Sequence, residues 1–199
     1  MPRDEAVHRR ILSAALELVD EKGPAGLRIA DVGEIAGVSA PIIYRHFGNR
    51  EGLVVEAQVE RFVVTLRDDA QRFAKRVESS KNRKEMRAAV LDALSLNFRS
   101  RADARWTRVN VLGSAYARPE LRGRLLDAQQ GTIDVVAEAL RGARDRGLIE
   151  AGLDPVEFAR WQHGLLLSRV FFEAGEKMRQ SSGWDTLTTK AMVYMLFGE

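Results

Sequence analysis

Cysteine is absent from the 199 residues. That excludes disulfides, thiolate catalysis and cysteine-ligated zinc, and it suits a reducing compartment. Histidine is scarce: His8, His46 and His163 stand far apart. They form no HExxH and no spaced cluster, so no metal site is expected. There is no GxSxG, no GxxxxGK[ST] and no carboxylate pair in an apolar setting. Neither an enzymatic reaction nor a cofactor is therefore expected. Long hydrophobic runs are missing as well. No run approaches the ~20 apolar residues of a membrane span, and residues 1–10 are too charged for a secretory segment. A cytoplasmic chain with no membrane partner is expected.

What remains is an ordinary globular composition, 45% hydrophobic and 30% charged, enough for one or two domains. The net charge is +3. Residues 1–50 contribute none of it, because Arg3, Arg9, Arg10, Lys22, Arg28, Arg45 and Arg50 are matched by Asp4, Glu5, Glu17, Asp20, Glu21, Asp31 and Glu34. If this part binds nucleic acid, its positive groups must be gathered on one face. The densest basic run, Arg72 to Arg87, reads as a solvated helix end and loop.

Apolar spacing is helical almost throughout. Val7, Ile11, Ala14, Ala15 and Leu18 make one stripe, ended by Gly23-Pro24. Short helices follow at about 30–36 and 40–47. A long fourth helix runs from Leu53 through Phe62, Leu66 and Phe73 to near Ser79. A fifth carries Met86, Val90, Leu94 and Phe98, and a short sixth carries Trp106, Val109 and Leu112. Pro119 opens a seventh, stopped by Gly147, and Asp154-Pro155 opens an eighth that extends to Phe172. A ninth spans Trp184 to Phe197. No strand-like alternation and no repeat is present. The expected fold class is all-α, about nine helices, with no linker interrupting the fourth.

The most informative stretch is LRIADVGEIAGVSAPIIYRHFGNREGL, Leu27 to Leu53. Ala36-Gly37-Val38-Ser39 reads as a tight turn between two helices. Gly37 supplies a left-handed backbone, Val38 points back to the core, Ser39 caps the next helix through its side chain, and Pro41 falls in the first turn. Helix, Gly-containing turn and helix make a DNA-reading helix-turn-helix. The AGVS turn, then Tyr44, His46-Phe47, Arg50-Glu51 and Leu53 at fixed offsets, resembles the signature of the tetracycline-repressor (TetR) family of bacterial transcription regulators. From about Ala57 onward only the helix rhythm matches.

The resemblance implies a helix-turn-helix head over residues 1–50 and a helical effector-binding and dimerisation body over 51–199. It places Ala40, Pro41 and Ile42 at base edges, where their apolar surfaces suit thymine methyls. Tyr44 and Arg50 fall at phosphate positions, with Ser39 beside them, and Arg45 and His46 supply polar contacts to a guanine edge or to phosphate. Arg28 and Ile29 depart from the family's Thr or Ser, so the second helix's usual cap is lost or supplied differently, and Arg28 contacts phosphate instead. Gly33, in place of the usual Ala, costs ~1 kcal/mol of helix propensity and suits closer packing of the second and third helices.

The family's cavity helices carry Phe62, Leu66, Leu94, Asn97, Phe98, Trp106, Val109, Asn110 and Trp161, and each of these also reads as plain core. Trp106 and Asn110 share a helix face at i, i+4. The family's dimer surface falls on Leu165, Leu166, Val170, Leu187, Ala191 and Tyr194. The implied function is a homodimeric repressor on a palindromic operator in double-stranded DNA, released by a small hydrophobic effector. The rival is a helical ligand-binding or adaptor protein whose helix-turn-helix no longer binds DNA.

Overall fold

The computed structural model describes residues 2–173 and 182–198. Among the described residues it holds nine α-helices, one 3-10 turn and no strand. These are α1 (Pro2–Gly26), α2 (Ile29–Ala36), α3 (Ala40–Phe47), α4 (Arg50–Ser79), α5 (Arg83–Ser100), α6 (Ala102–Ala115), α7 (Pro119–Asp145), α8 (Pro155–Ser168) and α9 (Ser182–Phe197). The backbone of α1 breaks at Gly23 (φ 71°), as the Gly23-Pro24 pair requires. The eighth helix stops short of Phe172, because Arg169–Phe172 tighten into the 3-10 turn.

Two compact units divide the chain. The first comprises residues 1–63 and 111–125; the second comprises 64–110 and 126–199. Packing thus parts α4 at Val63 rather than at residue 50.

The core of the first unit joins α1, α2, α3 and the start of α4 through Ile11, Leu18, Leu27, Val32, Ile43 and Leu53. Gly37 adopts the left-handed conformation (φ 64°) that closes α2. Val38 packs half-buried against this core. At Gly33 a Cβ would lie 2.8 Å from the Val38 carbonyl, so glycine is what lets the turn close this tightly. Asn49 accepts a hydrogen bond from the Gly52 amide (2.8 Å) and so caps α4. Later in the same unit, the Gln58 amide donates to Ser114 (2.8 Å), Arg118 donates to Glu51 (2.8 Å) and Arg124 to Glu56 (2.7 Å). These bonds tie the α6–α7 corner to α4.

The second unit packs α5 and α9 with parts of α4, α7 and α8 around Met86, Leu94, Leu140, Phe158 and Met192. Its helix ends follow their caps. Asn82 accepts from the Glu85 amide while Glu85 accepts from the Lys81 amide (both 2.9 Å). Asp154 accepts from the amides of Val156 and Glu157, and these bonds hold its carboxyl below the usual range.

The sixth helix is turned opposite to the face its apolar stripe suggests. Trp106 and Leu112 are exposed, whereas Arg105 and Arg108 are buried. The inward row of α6 is Arg105 and Arg108, with Val111 continuing it and half-buried Arg101, just before the helix, leading into it. Arginines can occupy that row because partners await two of them. Arg101 donates to both Asp69 oxygens (2.7 and 2.6 Å), which raises its own pKa. Arg105 forks onto Glu173, in part through a 3.2 Å bond from Nε, and reaches the Asn97 carbonyl (2.6 Å) and side chain (3.0 Å). Glu173 also accepts from Arg169 (2.5 Å), which in turn forks onto Asp185 (2.6 and 2.9 Å). The Asp185 bonds, then the Glu173 bond, raise the Arg169 pKa.

Candidate functional site

Helix α3 sorts its side chains cleanly. Ile43 is fully buried and Ile42 and Phe47 pack half-buried on the head core. Ser39, Pro41, Tyr44 and Arg45 face outward, with Tyr44 45% exposed. Ala40 is half-buried beside them, and Arg28, before α2, is exposed as well. The outward face therefore carries a hydroxyl, a phenol, two guanidinium groups and a proline ring. Arg45 lies 3.4 Å from Asp4, both exposed. Such a surface pair is weak and its arginine can turn to a phosphate.

Three residues expected on that face, His46, Arg50 and Ile29, do other work. His46 is turned inward, its side chain only 7% exposed and its Nε2 3.4 Å from Asp4, out of line for a hydrogen bond. Its ring lies edge-on to His8, which stacks on Phe47 at 4.5 Å, so α1 covers the imidazole and keeps it from a base edge. Arg50 donates through Nε to the Leu27 carbonyl (2.8 Å) and through Nη2 to Pro24 (2.9 Å) and Ala25 (3.0 Å). It braces the α1–α2 loop and has little left for a phosphate. Ile29 packs on the head core, half-buried. Ser39 does not cap α3 through its side chain; its carbonyl accepts from Ile42 (3.0 Å) and Ile43 (3.3 Å), which leaves the hydroxyl exposed. Arg28 likewise gives α2 no side-chain cap, as expected for the loss of Thr or Ser there.

The second unit contains a cavity of about 290 Å³. Leu66, Phe73, Leu94, Ile133, Phe158 and Met192 give it apolar walls. Its polar groups are Asn97, Arg108, Thr132, Gln162 and His163, with Asp69, Arg72, Arg76 and Asp92 also in its lining. Burial first, then the Arg108 charge, lowers the His163 pKa to about 4, so this imidazole is neutral at pH 7. Burial also lowers Arg108, to about 10, with Arg105 adding to the shift, yet the guanidinium stays charged.

Of the cavity residues expected from the sequence, Leu66, Leu94 and Asn97 line it. Phe62 is buried in the first unit instead. Phe98 packs edge-on against Trp184 and beneath the Arg169 guanidinium. Trp106 and Trp161 point to solvent (38% and 40% exposed), Asn110 is exposed and Val109 is half-buried outside the lining. Periodicity missed Arg108 and His163. The available signal was the row Arg101, Arg105, Arg108 at i, i+4, i+7, three cations at helical spacing on one face of the segment that runs into α6.

Residues 11–57 match the family model described as bacterial regulatory proteins, tetR family. The HTH-type transcriptional regulator BetI 1 of Chromohalobacter salexigens is 39% identical over 83 residues, 41% of this chain and 40% of its own length. The family match lies in the head, over residues 11–57. The chain spans about two fifths of that curated regulator's length, and the rest of the chain is compared by fold. A protein assigned to the same family from Mesorhizobium loti superposes with a TM-score of 0.75 at 16% identity, over 98% of both chains. A transcriptional regulator from Saccharomonospora viridis, crystallised with choline, superposes with a TM-score of 0.64 at 18% identity, over 95% of this chain and 96% of its own. The family consists of transcription regulators rather than enzymes.

On the remaining surface, Leu187 (69%), Ala191 and Tyr194 (66%) form an exposed stripe on α9. Trp161 and Gly164 are exposed on α8. Three residues expected on a dimer face lie elsewhere: Leu166 lines the cavity, Val170 is buried, and Leu165 packs half-buried on the body core. They sit on the inner side of α8 or in the 3-10 turn that follows it. Among the described residues no helix is long and apolar enough to cross a membrane, and no group of three His, Cys, Asp or Glu could hold a metal.

Proposed function

We propose that this protein is a cytoplasmic, homodimeric DNA-binding regulator, acting as a repressor that a small effector releases from a palindromic operator. The outward face of α3 carries this reading. Ser39, Pro41, Tyr44 and Arg45 are presented to solvent by a helix whose opposite side, at Ile43, is fully buried. Such a helix is held rigidly enough to enter a major groove, with Ala40 and Pro41 at thymine methyls and Tyr44, Arg45 and Arg28 at polar edges or phosphates. Ile42 offers only its outer half.

One small head reads too few base pairs for a specific site, so two heads are needed, with half-sites about one turn (~34 Å) apart. The Leu187, Ala191 and Tyr194 stripe with Trp161 is the surface that supports pairing, since an exposed apolar stripe on adjacent elements marks an interface. Helix α4 is unbroken from Arg50 to Ser79 and contributes Leu66 and Phe73 to the cavity. A ligand that prefers one position of this helix shifts the population toward it, and ~1–3 kcal/mol of coupling suffices to release an operator.

The test is binding of the full-length chain to the DNA upstream of its own gene, followed by selection from random sequences. A palindrome with log affinity falling linearly in log salt is expected. Absence of any salt-dependent DNA binding, with the fold intact, would replace this reading with the adaptor.

A further inference from the structure

The polar end of the cavity has a sign. Arg108 is 5% exposed and lines the cavity. Among the described residues it makes no hydrogen bond and has no carboxylate within ion-pair distance. Asp69, the acid whose charge acts on it, is already gripped by both arms of Arg101. Asp92, the other acid of the lining, is bonded to Arg76 at 3.0 Å. Glu173 is taken up by Arg105 and Arg169. The guanidinium is therefore a buried cation with no counter-charge of its own, facing a space walled by leucine and phenylalanine. Burying an unpaired charge is strongly unfavourable, and that cost falls when an anion enters.

We propose that the effector is a compact organic monocarboxylate, its carboxylate paired with Arg108 and its apolar body among Leu66, Phe73, Leu94 and Phe158. The proposal rests on the reading that this cavity is the effector site. The planar guanidinium offers a fork that matches a carboxylate. Neutral His163 and the amide of Gln162 stand in the same lining to complete the anion's hydrogen bonds. A single negative charge fits best, because one cation is uncompensated and Asp69 and Asp92 would repel a second. The volume lies at the small end of ligand pockets, roughly 300–1,000 Å³, so the body is one ring or a short chain. A quaternary cation such as the choline held by the structural neighbour does not suit this lining. Among the described residues the phenyl rings that border the cavity are those of Phe73 and Phe158, with no tryptophan or tyrosine; the two carboxylates are already bonded to arginines; and Arg108 repels a cation.

The test uses the full-length protein without DNA. Calorimetry and thermal shift are run with arylacetates and straight-chain carboxylates of four to ten carbons, each beside its neutral amide, together with phenyl phosphate and choline. At least one carboxylate is expected to bind about tenfold or more tighter than its amide and than phenyl phosphate, with choline not binding. Arg108→Met is expected to abolish that preference. It should also raise the melting temperature of the ligand-free protein, because an unpaired buried charge is removed. A merely structural, paired arginine would give the opposite shift. The proposal is overturned if no carboxylate outbinds its amide, if choline or phenyl phosphate binds tighter, or if Arg108→Met lowers the ligand-free melting temperature. Operator binding measured separately keeps the two readings apart. Carboxylate binding that leaves the operator complex unchanged would sink the regulatory reading alone, and operator binding without carboxylate binding would sink this one alone.

Discussion

The head and the body of this chain use their charged residues in opposite ways. In the head, formal charge stays at the surface and the core from Ile11 through Ile43 to Leu53 is apolar, with the His46 imidazole tucked beside it under α1. In the body, Arg105 and Arg108 occupy inward positions and two carboxylates, Glu173 and Asp185, are drawn toward a further arginine, Arg169. A hydrophobic pattern reads the first kind of packing well and inverts the second. The difference suits the two roles proposed above: a reading head needs one rigid shape, and a ligand cavity needs polar groups placed inside apolar walls.

The strongest way to probe the contrast is to open the body network. Glu173→Ala leaves fully buried Arg105 with only Asn97, and a loss of about 3–5 kcal/mol in urea unfolding is expected. A loss below ~1 kcal/mol would mean the network is replaceable by solvent.

The head should break through shape instead. Helix propensity alone favours Gly52→Ala by ~1 kcal/mol. A Cβ there would lie 2.1 Å from the Phe47 carbonyl oxygen, which is backbone and must move. Destabilisation of about 2–3 kcal/mol is therefore expected in thermal or urea unfolding. A gain in stability would show that the α3–α4 junction is looser than its geometry implies.

Acid separates the two regions next. The His163 pKa in the folded chain is about 4, below its usual 6.5, so the unfolded chain binds the proton more readily. Stability is unaffected above pH 6.5 and falls as the pH drops from 6.5 toward 4, by about 1.4 kcal/mol per unit and about 2 kcal/mol by pH 5. His163→Gln should remove that part of the slope in urea titrations at several pH values. An identical slope in the variant would assign the acid sensitivity elsewhere.

The smallest expected effect divides the two arginines of the reading head. Arg50→Ala removes three bonds to the α1–α2 loop and should cost about 1–2 kcal/mol of stability. Arg45→Ala should leave stability unchanged and lower the salt slope of operator binding by about one. The reverse result would return the phosphate role to Arg50.

The sequence alone settled what depends on local backbone chemistry. Gly37 at positive φ, the α3 boundaries, Asp154 with Pro155 at the head of α8, and the turn at Gly147 (φ 70°) follow from steric and capping rules that act within a few residues. The head's motif was legible for the same reason. Tertiary structure decided everything that depends on a distant partner. His46 and Arg50 were claimed by α1 and by the α1–α2 loop, and neither claim is visible from the AGVS motif. The orientation of α6 was set by Asp69 and Glu173, which lie far from it in the chain and make inward arginines stable. Apolar periodicity assumes that buried means apolar. Where carboxylates and a cavity meet a helix, burying a guanidinium on one side and leaving Trp106 and Leu112 in water on the other becomes the lower-energy choice.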